Sequence, residues 1–313
     1  MIRAGFAALI GRPNVGKSTL LNRLTGEKLA IVSPKPQTTR NRIMGVVTRE
    51  EGQVALLDTP GIHEAKGELN RRMVEVALRA AAEVDVVCLI VEAVDQAKPE
   101  VGPGNERILE RLEELDKPAV LAINKIDLVS KPLLLPLIAL YRDRYPFAEV
   151  VPISATTGDG VERLLKLLLG LLPEGEPMFD PDTLTDQAER ALVAEYVREQ
   201  VLRHCRQEVP YSAAVRVDIF DEQEREGRED AGARAKKGGL SGLVKIECSI
   251  LVERESQKAI VIGKRGAMLK AIGTDARRSI ERLLGTHVFL SLRVRVEERW
   301  TERPQALRKL GYE

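Results

Sequence analysis

The sequence predicts two domains of different class: an α/β domain with a mostly parallel sheet and helices on both faces, followed by an α+β domain. The first half of the chain alternates short Val/Ile/Leu/Ala runs with amphipathic helical patterns. A stretch with three prolines and one glycine, residues 172–186, interrupts that alternation. Beyond it the order becomes helix, two strands, two helices and a last strand, which indicates a second fold class.

The first domain contains six candidate strands and five candidate helices. Several strands are almost continuously apolar, which is typical of a sheet covered on both faces, with ligands at the carboxyl ends of its strands. The predicted strands are 5–10, 42–48, 53–58, 84–92, 118–124 and 148–153, and the predicted helices are 17–25, 69–82, 104–115, 133–145 and 160–171.

The second domain is predicted from alternating rather than continuous apolar patterns. We expect the first domain to span 1–173, a linker 174–185 and the second domain 186–313. The segment 221–242 is charged and contains glycines, and its residues 221–237 have no apolar core. We expect it to connect two strands of a hairpin. The predicted elements are a helix at 186–207, strands at 212–220, 243–253 and 287–297, and two short helices within 255–284.

Composition excludes several classes of protein. The chain has 313 residues, of which 44% are hydrophobic and 30% charged, and its net charge is +1. No stretch approaches the roughly 20 apolar residues that a membrane helix needs. Three distant cysteines and three separated histidines predict neither a disulfide framework nor a metal cluster. These counts favour a protein of the reducing cytoplasm.

The stretch GRPNVGKS, residues 11–18, follows the first strand and opens the first helix. This context is typical of a phosphate loop, whose glycines let backbone N–H groups surround phosphate oxygens at a helix N-terminus. Lys17 is expected to reach the β- and γ-phosphates, and Ser18 is expected to ligate Mg²⁺. A chance glycine turn is the alternative, and the flanking strand and helix argue against it.

Two later motifs predict that the base is guanine. NKID, residues 124–127, ends a strand, and Asp127 can accept hydrogen bonds from guanine N1 and N2. Asn124 can brace the phosphate loop, and the stem of Lys125 can cover the purine ring. SAT, residues 154–156, would offer a backbone N–H to the guanine oxygen.

Two further stretches predict contacts with Mg²⁺ and the γ-phosphate. DTPGIH, residues 58–63, places Asp58 to hold Mg²⁺ through water and the Gly61 N–H to sense the γ-phosphate. Thr39, immediately before Arg40, is expected to complete the Mg²⁺ shell in the GTP state. The residues expected to bind GTP are Gly11, Arg12, Pro13, Asn14, Val15, Gly16, Lys17, Ser18, Thr19, Asp58, Gly61, Asn124, Lys125, Asp127, Ser154, Ala155 and Thr156.

VIGKRGAML, residues 261–269, fits the G-x-x-G signature of a KH domain, an RNA-binding fold. From residue 257 to 295 there are nine Lys/Arg and two acidic residues, a local excess of +7. A plain helix–helix turn is the alternative for the glycines, but the basic excess and element order favour RNA. The expected RNA-binding residues are Ile262, Gly263, Lys264, Arg265, Gly266, Leu269 and Lys270.

Taken together, the phosphate-loop, QTTR (37–40), DTPGIH, NKID and SAT motifs resemble those of the Era family within the translation-factor-related GTPases. The resemblance extends to 243–264 and 307–313, so it covers nearly the whole chain. One departure is EAKG at 64–67, where the family usually has a Pro-Lys turn.

The resemblance has implications that the residues alone do not give. It implies a type II KH domain, a role in assembly of the small (30S) ribosomal subunit, and binding to the 3′ end of 16S rRNA. It also implies a monomer with peripheral membrane association. Relatives with a hydrophobic residue after D-x-x-G, as Ile62 is here, use a phosphate-loop asparagine to ligate K⁺. Asn14 matches that position. Together with Lys17, Thr39 and Gly61 from the motifs above, it completes the set of expected catalytic residues.

Two other interpretations stay open on the motifs alone. One is a P-loop kinase or ATPase, against which NKID argues. The other is an RNA-binding module with a nucleotide site that does not hydrolyse. The intact set Lys17, Ser18, Thr39, Asp58 and Asp127 argues against that interpretation.

Overall fold

A computed structural model of the protein describes residues 2–65, 67–94, 99–206, 208–222 and 242–312. The chain divides into two compact units between Asp186 and Gln187. Tyr312 belongs to the first unit, where Arg72 Nη1 donates a hydrogen bond to its carbonyl at 3.0 Å. The second unit ends at Gly311.

The first unit is built on a six-stranded sheet in the order β2-β3-β1-β4-β5-β6. Only β2 runs antiparallel, paired with β3, and the other neighbours are parallel, as the apolar runs predicted. The strands are β1 (Arg3–Ile10), β2 (Ile43–Arg49), β3 (Gly52–Asp58), β4 (Val86–Glu92), β5 (Ala119–Asn124) and β6 (Glu149–Pro152).

Five helices cover the two faces of this sheet. They are α1 (Lys17–Thr25), α2 (Glu68–Glu83), α3 (Pro103–Leu115), α4 (Leu134–Arg144) and α5 (Val161–Leu171). Alternate residues of β1 point to opposite faces, so Leu9 packs with α1 and α5 while Ile10 packs with α2, α3 and α4. The two apolar cores hold the carboxyl ends of β1, β3 and β5 at one edge, where the phosphate loop begins.

The segment 174–185, expected to be a linker, lies against the first unit. The buried Gln53 side chain accepts hydrogen bonds from the backbone N–H groups of Met178 and Phe179 at 2.8 and 2.9 Å. Phe179 also meets Phe6 edge to face. Close to the end of the segment, the Val46 N–H donates to the Leu184 carbonyl at 2.8 Å. These contacts fix the path of the chain as it leaves the first domain.

The second unit contains a three-stranded sheet in the order β7-β8-β9, antiparallel and then parallel. The strands are β7 (Ala214–Asp221), β8 (Leu243–Val252) and β9 (His287–Val296). The helices are α6 (Glu189–His204), α7 (Val209–Ser212), α8 (Glu255–Ile262), α9 (Ala267–Leu284) and α10 (Pro304–Lys309). This is the type II KH order that the sequence predicted, with the short α7 and α10 added.

Most of the charged connection predicted at 221–242 lies outside the described residues. Within the described residues, no helix combines the length and apolar character that crossing a membrane requires.

Candidate functional site

The phosphate loop leaves β1 and turns sharply before α1. Gly11, Asn14 and Gly16 all have positive φ values, of 149°, 65° and 102°. Gly16 also lies close to a side chain of the NKID motif, because a Cβ on Gly16 would lie 2.2 Å from Asn124 Nδ2. Only glycine fits that point, so the loop can close around phosphate oxygens.

Lys17, the first residue of α1, is almost fully buried, with 6% of its surface exposed. Its Nζ donates to the carbonyls of Gly11 and Arg12 at 3.2 and 2.9 Å. Burial lowers the pKa of Lys17 to about 8, and the nearby Asp58 carboxylate opposes that shift. An ammonium with so little solvation gains strongly from nearby phosphate oxygens.

Three oxygen-bearing side chains from different segments converge beside the loop. Ser18 Oγ lies 2.6 Å from Asp58 Oδ2 and 2.8 Å from Thr39 Oγ1, and Thr39 Oγ1 lies 3.2 Å from Asp58 Oδ2. Asp58 is fully buried, and among the described residues its Oδ1 has no hydrogen-bond partner. Burial also raises the pKa of Asp58, against the Lys17 charge and the hydroxyl hydrogen bonds. This oxygen set, with one unsatisfied carboxylate atom, fits Mg²⁺.

The two threonines of QTTR have separate surroundings. Thr38 Oγ1 donates to the carbonyl of Lys35 at 2.7 Å, within the same loop. Thr39 alone has its hydroxyl beside Ser18 and Asp58. The geometry therefore favours Thr39 as the metal ligand.

The DTPG turn packs directly on the phosphate loop. A Cβ on Gly61 would lie 2.6 Å from the backbone nitrogen of Pro13, and the Ile62 N–H donates to the Gly11 carbonyl at 3.0 Å. The Ile62 side chain is 8% exposed and belongs to the apolar core on the α2 face. It is packed in that core, is not part of the lining of the nearby cavity, and has no polar atom that could orient water.

His63 connects this turn to the loop that carries Thr39. Its Nδ1 lies 2.8 Å from the Gly61 carbonyl, and its Nε2 lies 3.0 Å from Gln37 Nε2. Because a carbonyl only accepts, Nδ1 carries the proton, and Nε2 accepts from the Gln37 amide. Sequence reasoning missed this contact, because nothing in either motif indicates that Gln37 faces His63.

At the other end of the site, Asn124 joins two loops. Its Nδ2 donates to the Val15 carbonyl at 2.7 Å, and its Oδ1 accepts from the Ala155 N–H at 2.9 Å. The brace toward the phosphate loop is the one that the sequence predicted. Ser154 and Ala155 are buried and Thr156 is exposed.

The residues expected around the base are more open. Lys125 has φ 67° and pairs through Nζ with Glu92 Oε1 at 2.9 Å. Asp127 lies in the short 3₁₀ turn Ile126–Leu128 and is exposed. A cavity of about 310 Å³ is lined by phosphate-loop residues, Thr39, Gly61 and Lys125. Asp127 and residues 154–156 are not part of that lining.

In the second unit, the G-x-x-G turn lies between α8 and α9. Gly263, Arg265 and Gly266 have φ values of 70°, 54° and 77°. A Cβ on Gly263 would lie 2.6 Å from Met268 Cβ, whereas one on Gly266 would meet nothing within 4 Å. Lys264 and Arg265 are both exposed. Gly266 therefore faces open space, where a nucleic-acid backbone could approach.

A groove of about 550 Å³ runs from this turn along α9. Of the predicted RNA-binding residues, three line it: Gly266, Leu269 and Lys270. The lining does not include the other four, Ile262, Gly263, Lys264 and Arg265. The groove also includes residues that sequence reasoning missed, because they lie one or more helical turns away or on a strand: Gly273, Thr274, Arg277, Leu290 and Leu292.

The fold and the two sites define a P-loop GTPase joined to a KH domain. A family model described as 50S ribosome-binding GTPase matches residues 6–125, and a KH domain model matches 232–301. The GTPase Era of Geotalea uraniireducens is 53% identical over 311 residues, which cover 99% of this chain and 98% of that relative. The chain therefore belongs to the Era GTPase family, and the family's reaction is GTP hydrolysis.

Two solved structures of Era superpose on nearly the whole chain. Aquifex aeolicus Era bound to GDP and AlF₄⁻ has a TM-score of 0.90 and 40% identity, covering 99% of each chain. Era in complex with MgGDPNP and nucleotides 1506–1542 of 16S ribosomal RNA has the same TM-score and identity, covering 100% of this chain and 99% of its own.

Proposed function

We propose that this protein is a Mg²⁺-dependent GTPase whose nucleotide state controls binding of the 3′ end of 16S rRNA, and that it assists assembly of the 30S subunit. The observation that carries the proposal is the convergence of Ser18, Thr39 and Asp58 beside Lys17, in a chain that also contains a KH turn with an open tip. Hydrolysis converts GTP and water to GDP and phosphate.

The site residues have distinct roles in this proposal. Lys17 neutralises the β- and γ-phosphate oxygens, and the Gly61 N–H donates to the γ-phosphate. Ser18, Thr39 and Asp58 would hold Mg²⁺, which supplies charge stabilisation to the transferring phosphoryl group. Asp127 and the 154–156 loop select guanine. Thr39 is drawn into the site when the γ-phosphate is present and released after hydrolysis, which makes its loop a switch.

Thr39 and Thr38 form a matched pair for testing the metal site. Thr39→Ala removes a hydroxyl that lies 2.8 Å from Ser18 Oγ, so GTP turnover should fall about tenfold or more, while GDP binding is retained. Thr38→Ala removes a hydroxyl that donates to the Lys35 carbonyl within its own loop, away from Ser18 and Asp58, and turnover should change less than about twofold. Steady-state hydrolysis at saturating Mg²⁺ measures both. Equal effects of the two substitutions would exclude the assignment of Thr39.

We also propose that K⁺ stimulates hydrolysis through Asn14. Its Nδ2 lies 2.8 Å from the Pro34 carbonyl, and an amide flip would place two oxygens side by side, as a cation prefers. Replacing K⁺ by Na⁺ at equal ionic strength should slow turnover, and Asn14→Asp should change that ion preference. The same rate of GTP turnover in K⁺ and in Na⁺ would contradict a role for K⁺ in hydrolysis.

The RNA part of the proposal is supported by the Era structure that contains nucleotides 1506–1542 of 16S rRNA, together with the G-x-x-G turn and basic groove of this chain. The 50S-binding description belongs to a broad family model, and the small-subunit RNA in that complex favours the 30S subunit instead. One chain supplies every residue of both sites, so we propose a monomer. We propose a cytoplasmic location because the proposed partner is rRNA, and only family membership supports peripheral contact with the inner membrane face.

A further inference from the structure

Arg23 lies in the last turn of α1 and reaches the SAT loop. Its Nε donates to the Ala155 carbonyl at 3.2 Å, and its Nη2 donates to the Thr156 carbonyl. A Cβ built on Gly158 would lie 3.7 Å from Arg23 Nη1, so the guanidinium also lies beside the residue that follows Thr157. Arg23 forms no ion pair within the described part of the chain, and both of these hydrogen bonds go to loop carbonyls. No motif indicated a role for this residue.

The hydrogen bond to the Ala155 carbonyl fixes the direction of the Thr156 N–H. The Ala155 carbonyl and the Thr156 N–H belong to one planar trans peptide group, in which they point in opposite directions. Holding the carbonyl toward α1 therefore turns the Thr156 N–H away from α1. The neighbouring Ala155 N–H is held on its own side by Asn124 Oδ1 at 2.9 Å. The loop is thus fixed by Arg23 through its carbonyls and by Asn124 through an N–H.

We propose that Arg23 is a positioning residue for guanine recognition: it orients the backbone N–H groups of the 154–156 loop that meet the 6-oxygen of the base. This inference rests on the proposed role of that loop. Lys17 and Ser18 begin the same helix at the phosphates, and Arg23 lies in its last turn. One rigid element, α1, therefore connects the phosphate end of the site to the loop at the base end.

The test uses three diphosphates that differ only in the base. GDP has both the 6-oxygen and the 2-amino group, and inosine diphosphate lacks the amino group. 2-Aminopurine riboside diphosphate lacks the oxygen and, with it, the N1 proton, so for each ligand the variant is compared with the parent chain. Arg23→Ala should weaken GDP and inosine diphosphate by about tenfold each, the cost of a misplaced hydrogen bond to a buried ligand atom. Binding of the 2-aminopurine compound should change less than about twofold. Arg23→Lys keeps one cationic donor group, so its affinity for GDP should lie between that of Arg23→Ala and that of the parent chain.

Arg111→Ala is the matched control, because Arg111 is an exposed arginine on α3 that pairs with Glu114. It should bind all three ligands as the parent chain does. Equal weakening of all three ligands by Arg23→Ala would reduce Arg23 to a general stabilising residue and overturn the inference. Unchanged GDP binding would overturn it as well. If the parent chain itself binds the 2-aminopurine compound as tightly as GDP, oxygen recognition by the loop fails, and the proposed base selection fails with it.

Discussion

Individual residues of the nucleotide site combine burial with charge. Lys17 and Asp58 are both buried, and burial shifts their pKa values in opposite directions, each toward the neutral form. The protein thus holds two poorly solvated charges side by side where phosphates and a divalent cation would compensate them. Motif spacing alone could predict both residues, because their backbone context is local.

The lowered pKa of Lys17 predicts that nucleotide binding depends on pH. Bound phosphates favour the ammonium form, so binding is full below the free-state pKa of about 8 and weakens as the pH rises through it. Between pH 7 and 8.5 the dissociation constant for GDP should rise about fourfold, in proportion to the lost ammonium fraction. Titration calorimetry at both pH values measures this.

Lys17→Arg provides the control for that titration. A guanidinium keeps its proton across the whole range, so its affinity, although weaker, should not vary with pH. An arginine variant with the same pH dependence as the parent chain would assign the effect to a group other than Lys17.

Other residues of the site could not be predicted, for a physical reason. Gln37–His63 and Arg23–Ala155 are contacts between side chains and loops that come together only when the sheet has formed. The spacing of a motif fixes what the backbone does within one turn, but not which distant side chain reaches it. Ile62 is the intermediate case: the sequence showed that it cannot orient water, and only the fold shows that it belongs to the core.

At the scale of elements, periodicity predicted most of the structure. The helix predicted at 17–25 is α1 with the same bounds, because a glycine in left-handed conformation flanks each end. The strand predicted from residue 212 begins instead at Ala214. Residues 209–212 form the short helix α7, and the Ser212 carbonyl accepts a hydrogen bond from the buried Trp300 Nε1 at 2.8 Å. Because Trp300 and Ser212 are 88 residues apart, this contact produces no local sequence pattern from which α7 could be predicted.

The G-x-x-G turn allows RNA binding to be separated from hydrolysis. Gly266→Asp should reduce RNA affinity by more than about tenfold, because a carboxylate at the tip repels phosphate. Intrinsic GTP hydrolysis should stay within about twofold of the parent rate, since the nucleotide site belongs to the other unit. Filter binding and phosphate release measure the two properties.

Gly285→Asp is the matched control in the same unit. Gly285 also has a left-handed conformation, with φ 64°, and a Cβ there meets nothing within 4 Å. The backbone strain and added charge are therefore the same at both positions, but Gly285 ends α9 and is not part of the groove lining. If Gly285→Asp weakens RNA binding as much as Gly266→Asp does, the loss reflects backbone strain or overall charge rather than a phosphate contact at the turn.

At the scale of the whole molecule, the chain combines a nucleotide site with an RNA groove that lies within a strongly basic segment. Residues 257–295 hold an excess of +7 in a chain whose net charge is +1. If GTP strengthens RNA binding by some factor, thermodynamic linkage requires RNA to strengthen GTP binding by the same factor. Hydrolysis would then lower RNA affinity and release the bound RNA.

The most direct test of this account measures binding of a synthetic RNA with the sequence of nucleotides 1506–1542 of 16S rRNA. The dissociation constant is determined with Mg-GDPNP, with GDP and without nucleotide, at one fixed salt concentration. We expect the tightest binding with Mg-GDPNP, by about fivefold or more over GDP, as allosteric coupling between two sites typically gives. The same dissociation constant in all three states would contradict the account.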